Sequence, residues 1–234
     1  MGFADLMEKA DGPGAIGTAP VIPATPPPPQ RLVVLIPGIH EGREKALRWM
    51  QPFADFLASP GTEVLIYTHA WLSALATFLP GIGNVVREHQ VRKFQVWLAA
   101  TLVTRPGAVV DAVGHSFGGY IPFAAMTAEG GPGAVYRRLA LMAATVSSRE
   151  DFKSAVGHFQ AILNLYSTTD TVVLLSTIGQ AGRIGFANGI PFDRKLGKHD
   201  TDPMVRNLDC TPYRHRDYEN PGEAWDAVRA FLAT

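Results

Sequence analysis

Gly114-His115-Ser116-Phe117-Gly118-Gly119 is the stretch on which the reading of this chain turns. Ahead of it, Ala108-Val109-Val110-Asp111-Ala112-Val113 is β-branched enough to read as a strand. Behind it, Tyr120-Ile121-Pro122-Phe123-Ala124-Ala125-Met126 reads as helix. The result is strand, tight turn and helix, with a serine at the apex. A non-glycine residue forced into so sharp a turn costs about 1–3 kcal/mol. Gly114 and Gly118 lack Cβ atoms, so strand and helix can approach each other across it. The Phe117 N–H then falls at a helix N-terminus, where unpartnered donors and the helix dipole favour an anion. A serine capping an ordinary Gly-rich turn would leave the same letters.

The chain has 234 residues, 47% hydrophobic and 18% charged, which suits one domain with a sizeable core. Lys and Arg number 21, as do Asp and Glu, for a net charge of zero. No global field draws nucleic acid or an anionic membrane, so neither is expected as a partner. Two local basic clusters stand out: Arg43, Lys45 and Arg48, then Arg214 and Arg216. A solvated face is the ordinary account of both. The single cysteine, Cys210, cannot form an internal disulfide and reads as a buried thiol. No pair of histidines has metal-ligand spacing, so no metal is expected. Met1 to Asp11 carries Asp5, Glu8 and Asp11 and lacks the apolar core of a secretory signal. The apolar stretch from Ala70 to Val86 is broken by Pro80, Gly81 and Gly83, too short for a membrane span. No integral membrane segment is expected, and the location is read as cytoplasmic or left open.

Residues Met1 to Gln30 end in Pro26-Pro27-Pro28-Pro29 and read as a Gly/Pro-rich disordered tail. The folded domain is expected over residues 31–234. Leu32-Val33-Val34-Leu35-Ile36 is a continuous apolar run, as a strand buried on both faces requires. Ala46, Leu47, Met50, Ala54 and Leu57 then recur with helical period, with a kink or break expected at Pro52. Glu63 to Tyr67 reads as strand, and Val91, Phe94, Leu98 and Leu102 mark a further helix. Strands follow at Leu139 to Met142, Ala161 to Tyr166 and, more weakly, Val205 to Cys210. Asn220-Pro221-Gly222-Glu223 offers an N-cap, a proline at the first helical position and a capping-box glutamate. Ala224, Ala227, Val228 and Phe231 give the final helix one apolar face. Alternation of strands and helices predicts a three-layer α/β sandwich with a mainly parallel sheet of about six strands.

From Arg31 onward the chain resembles the α/β-hydrolase superfamily, its serine esterases and lipases in particular. The resemblance rests on the Gly114-His115-Ser116-Phe117-Gly118-Gly119 elbow. It implies a Ser–Asp–His order along the chain. Asp170 occupies the place of the acid, in the loop after the Ala161 to Tyr166 strand, though it equally suits a helix cap at Thr171. Asp193, Asp200 and Asp202 are alternatives with no strand directly before them. His215 fits between the last strand and the last helix, with His199 second. His40, His69, His89, His115 and His158 precede Asp170 and break the order. The family commonly has His-Gly-x after its first strand, the x residue donating an oxyanion N–H. Here Pro37-Gly38-Ile39 departs at the first position. Ile39 is the expected second donor beside Phe117, with His40 the alternative.

The resemblance implies a serine hydrolase acting on small-molecule or lipid esters without a cofactor. Acyl transfer, thioester or amide cleavage would use the same groups. A non-catalytic binding module and a delivered lipase effector are the rival classes. The gap from Ala143 to Ala161 is too short for a cap of several helices, so a minimal core is expected. Cover would then come from two apolar loops, Trp71 to Ile82 and Val172 to Ile190. Leu72 and Phe186 would line an acyl groove there, or simply belong to the core.

Overall fold

The computed structural model describes residues 31–39, 43–69, 83–128, 135–149, 157–174, 180–187, 190–191 and 205–234. The N-terminal tail, Trp71 to Ile82 and His199 lie outside the described residues.

The strands are β1 (Arg31–Ile36), β2 (Thr62–Ile66), β3 (Val109–His115), β4 (Tyr136–Met142), β5 (Phe159–Tyr166), β6 (Ile190–Pro191) and β7 (Val205–Asp209). They form one sheet in the order β2-β1-β3-β4-β5-β7-β6, and every neighbouring pair is parallel. The helices are α1 (Arg43–Leu57), α2 (Gly83–Val103), α3 (Phe117–Thr127), α4 (Thr171–Leu174), α5 (Ala181–Ile184) and α6 (Glu223–Ala233).

The alternation of β1 shows how the layers are built. Leu32, Val34 and Ile36 join Val91, Phe94 and Leu98 of α2 and Phe117 and Ile121 of α3. Val33 and Leu35 face the other way, onto Met50 and Phe53 of α1 and Val228 and Phe231 of α6. A strand covered on both faces has no polar side to show, which is why its sequence is an unbroken apolar run. The expected three layers are present.

The expected mainly parallel sheet of about six strands is present, with β6 as a short seventh strand at its edge. β6 is only two residues long, paired as Ile190↔Arg206 and Pro191↔Asn207. No period can be read from two residues, and a proline is tolerated at a sheet edge. Two local expectations change. Helix α1 runs through Pro52 without ending there. Trp49, Met50, Phe53 and Ala54 are buried on either side of it, and Phe53 packs on Trp225 of α6 with ring centroids 4.6 Å apart. That burial holds the helix on past the lost hydrogen bond. Helix α6 starts at Glu223, with Gly222 at its N-cap and no side-chain cap bond. The capping role expected of Asn220 is not used: Asn220 instead closes a single 3-10 turn over Asp217–Glu219. No helix among the described residues is long and apolar enough to cross a membrane.

Candidate active site

β3 lies inside the sheet, between β1 and β4. Its carboxyl end is where ligands bind in open parallel sheets. There the chain reverses direction at Ser116, which has φ 56° and ψ −127°, a region that L-residues rarely adopt. The Ser116 N–H donates to the Met142 carbonyl at 2.9 Å. The Ser116 carbonyl accepts the Gly119 N–H at 3.0 Å. Two glycines are required by space alone. A Cβ on Gly114 would stand 2.4 Å from the Gly118 carbonyl oxygen, and one on Gly118 would stand 2.3 Å from the carbonyl oxygens of Ile36 and Pro37. Ser116 is 8% exposed, and Phe117 opens α3, so its N–H belongs to the first turn, whose donors have no intrahelical acceptor.

Asp170 is fully buried and follows β5 through Ser167-Thr168-Thr169. Its two carboxylate oxygens have separate partners. Oδ1 accepts the N–H groups of Val172 and Val173 at 3.0 and 2.9 Å. Oδ2 accepts Nδ1–H of His215 at 2.8 Å. Helix cap and histidine partner, alternatives in the sequence, are thus the same side chain. With Nδ1 donating, the neutral imidazole keeps its lone pair on Nε2. Burial pushes the His215 pKa below its ordinary 6.5, and the hydrogen bond to Asp170 opposes that shift.

His115 precedes Asp170 and so breaks the chain order of a triad, yet it stands against the same histidine. It is 1% exposed. Its Nε2–H donates to the backbone carbonyl of His215 at 2.9 Å, and the two rings lie 4.9 Å apart, tilted by 38°. Trp49 meets the His115 ring edge-on at 5.6 Å. The chain order of a triad gives no signal for such a residue. Its position next to the serine, at the end of β3, was the only available clue.

The loop after β1 closes the other side. A Cβ on Gly38 would come within 3.0 Å of Ser116 Cβ and 3.5 Å of its Oγ, so Pro37-Gly38-Ile39 packs directly on the serine. His69 fixes this loop by donating Nε2–H to the Pro37 carbonyl at 2.9 Å, while its ring edge rests on Phe117 at 5.8 Å. Ser116, His115, His215, Gly38 and Ile39 all line one cleft of about 160 Å³. That is smaller than the roughly 300–1,000 Å³ of a drug-sized ligand pocket, so it accommodates a reacting group rather than a whole large substrate. Val172 lines it, as do Lys45, Arg216 and Glu219.

Phe186 does not line this cleft. It is 3% exposed and stacks on Phe123 of α3 with centroids 6.2 Å apart. It is core, as the alternative to the acyl groove had it. Leu174 and Ile184 are exposed. Asp193, Asp200, Asp202, His199, His40 and Leu72 lie outside the described residues. Cys210 is buried and forms no disulfide among the described residues. Among the described residues no three His, Cys, Asp or Glu side chains stand together as a metal site.

No protein-family model matches the chain, and no curated protein matches it in sequence. Solved structures match it in shape. Esterase PE8 superposes with a TM-score of 0.56 at 15% identity, over 88% of this chain and 93% of its own. TT1662 from Thermus thermophilus gives 0.50 at 13% identity, over 88% and 89%. An uncharacterised protein from Bacillus cereus ATCC 10987 gives 0.55 at 8% identity, over 98% of this chain and 65% of its own. At such identities the likeness is one of fold, and with the parallel sheet and the elbow at its centre it defines the class. This chain has the α/β-hydrolase fold.

Proposed function

We infer that the protein is a serine hydrolase that cleaves carboxylic esters through Ser116, His215 and Asp170. The observation that carries this is the 2.8 Å hydrogen bond from His215 to the buried Asp170, in a cleft whose lining includes Ser116. A buried carboxylate on Nδ1 holds the imidazole in the tautomer a general base needs. The strained elbow and the packing of Gly38 on Ser116 support the same reading.

In this mechanism Ser116 Oγ attacks the acyl carbon, and His215 Nε2 takes the hydroxyl proton. Asp170 keeps Nδ1–H in place and stabilises the imidazolium, remaining ionised itself. The carbonyl oxygen, now negative, is held by the N–H groups of Phe117 and Ile39. One such donor contributes about 2.7–4 kcal/mol at the transition state. Collapse expels the alcohol, which receives the proton from His215 and leaves the acyl group on Ser116. Water, deprotonated by the same nitrogen, then attacks the acyl carbon. The acid departs and Ser116 recovers its proton.

The test is labelling with a fluorophosphonate probe, followed by a panel of p-nitrophenyl esters. Wild-type protein should label once and turn over esters. Ser116→Ala should fold, yet neither label nor turn over. Labelling that persists in Ser116→Ala would place the nucleophile elsewhere.

A further inference from the structure

The two basic clusters of the sequence converge in the fold. Arg43, Lys45 and Arg48 lie on α1, and Arg216 follows β7, yet Lys45 and Arg216 both line the Ser116 cleft. Beyond Lys45 the surface continues into a shallower depression lined by Arg43, Glu44, Lys45 and Arg48. Lys45 is common to both, so the depression adjoins the cleft.

The two basic walls are not equivalent. The Arg216 guanidinium donates to Glu219 from Nε at 3.0 Å and from Nη2 at 2.8 Å, so its charge is largely matched. Arg43, Lys45 and Arg48 have no ion-pair partner among the described residues. Lys45 and Arg48 are three residues apart on one helix, a like-charge spacing that mildly disfavours the helix. Neither charge is needed for packing, since α1 buries its opposite side, through Ala46, Trp49 and Met50. Global composition does not account for the cluster either, because the chain is neutral overall. A solvated face would serve equally well with Glu and Lys alternating. Three cations against one acid, at the rim of a nucleophile's cleft, instead make a local positive field.

We propose that the cleft takes esters bearing an anionic group, a carboxylate or a phosphate, which Lys45 receives at the cleft wall and Arg43 and Arg48 receive in the adjoining depression. Ammonium and guanidinium groups suit this division. Lysine meets an anion as a point charge, whereas arginine offers a planar fork to carboxylate or phosphate oxygens. The proposal rests on the ester-hydrolase reading above and names the substrate class for that same site.

Matched chromogenic esters test it: p-nitrophenyl butyrate against the mono-p-nitrophenyl ester of glutarate, which ends in a carboxylate. Dibutyroyl glycerophosphate against tributyrin is the phosphate arm. Wild type should favour the anionic member of a pair, and the ratio of specificity constants should fall about tenfold in Lys45→Glu and severalfold in Arg48→Glu. Raising salt from 0.02 to 0.5 M should shrink the wild-type ratio, as expected of charges in an exposed setting. The arm with the larger ratio identifies carboxylate or phosphate as the better fit. A ratio that Lys45→Glu and Arg48→Glu leave unchanged would overturn the proposal. Should wild type hydrolyse no ester, binding decides separately. Calorimetric binding of the glutarate hemi-ester to Ser116→Ala, lost in Ser116→Ala/Lys45→Glu, would keep the anion site while the hydrolase reading fails. Equal binding to both proteins would remove the anion site.

Discussion

His215 sits between two opposing influences. Burial lowers its pKa below 6.5, and the Asp170 carboxylate works against that. With the folded pKa below the unfolded one, the unfolded chain binds more protons in acid. The stability associated with neutral His215 is therefore full above pH 6.5 and lost as pH falls through the folded pKa. The specificity constant for a neutral ester should rise with pH and level off with an apparent pKa below 6.5. A limb at or above 6.5 would mean that Asp170 holds His215 protonated. Asp170 should separate into its two roles. Asp170→Asn keeps an oxygen for the Val172 and Val173 N–H groups and should cost about 10⁴-fold in turnover, by analogy with other triads. Asp170→Ala should lose turnover as well and about 1 kcal/mol of cap stability besides. Melting curves of the two variants, measured side by side, check the difference. His115→Phe keeps a ring beside His215 but loses the donor to its carbonyl. Turnover should fall about fivefold while KM holds, since about 1 kcal/mol is the usual worth of such a bond. An unchanged kcat would limit His115 to packing.

At the scale of elements, the elbow stores strain that the sequence could only suggest. Ser116→Gly should be more stable than Ser116→Ala by up to about 1 kcal/mol, because glycine relieves a positive φ that alanine cannot. Both variants lack the hydroxyl, so thermal unfolding compares them without reference to activity. Equal melting temperatures would show that the turn is not strained. The segment after β5 tells a different story. In sequence Phe186 suits an acyl groove and the core equally, because its neighbours are apolar and follow the acid. An apolar side chain reads the same in sequence whether it faces a substrate or a helix. Here Asn207 settles it, donating Nδ2–H to the Phe186 carbonyl at 2.8 Å and accepting the Phe186 N–H at 2.9 Å. The loop is thereby held against β7 and its ring turned onto α3. Phe186→Ala should cost about 3–5 kcal/mol in stability, and the relative rates on acetate, butyrate and hexanoate esters should be unchanged. A selective loss on the longer esters would return Phe186 to the site.

For the whole molecule, a chain beginning at Arg31 is expected to fold and hydrolyse esters as the full chain does, because Gly/Pro-rich sequence offers little to bury. A large fall in melting temperature on removing residues 1–30 would show the tail docking on the domain. The resemblance to the α/β-hydrolases supplied the chain order that singled out Asp170 and His215, whereas the sequence by itself determined the α/β alternation, the apolar strands and the serine elbow. Those features are local, set by the period of apolar residues and by glycines where Cβ atoms do not fit. Only the tertiary structure decided that both oxygens of Asp170 are used, that α1 continues through Pro52, and that His115 seats His215. The same holds for Lys45 and Arg216 sharing the serine's cleft. Each depends on which residues, distant in the chain, the parallel sheet brings to its carboxyl edge, and periodicity along a chain carries no information about that distance.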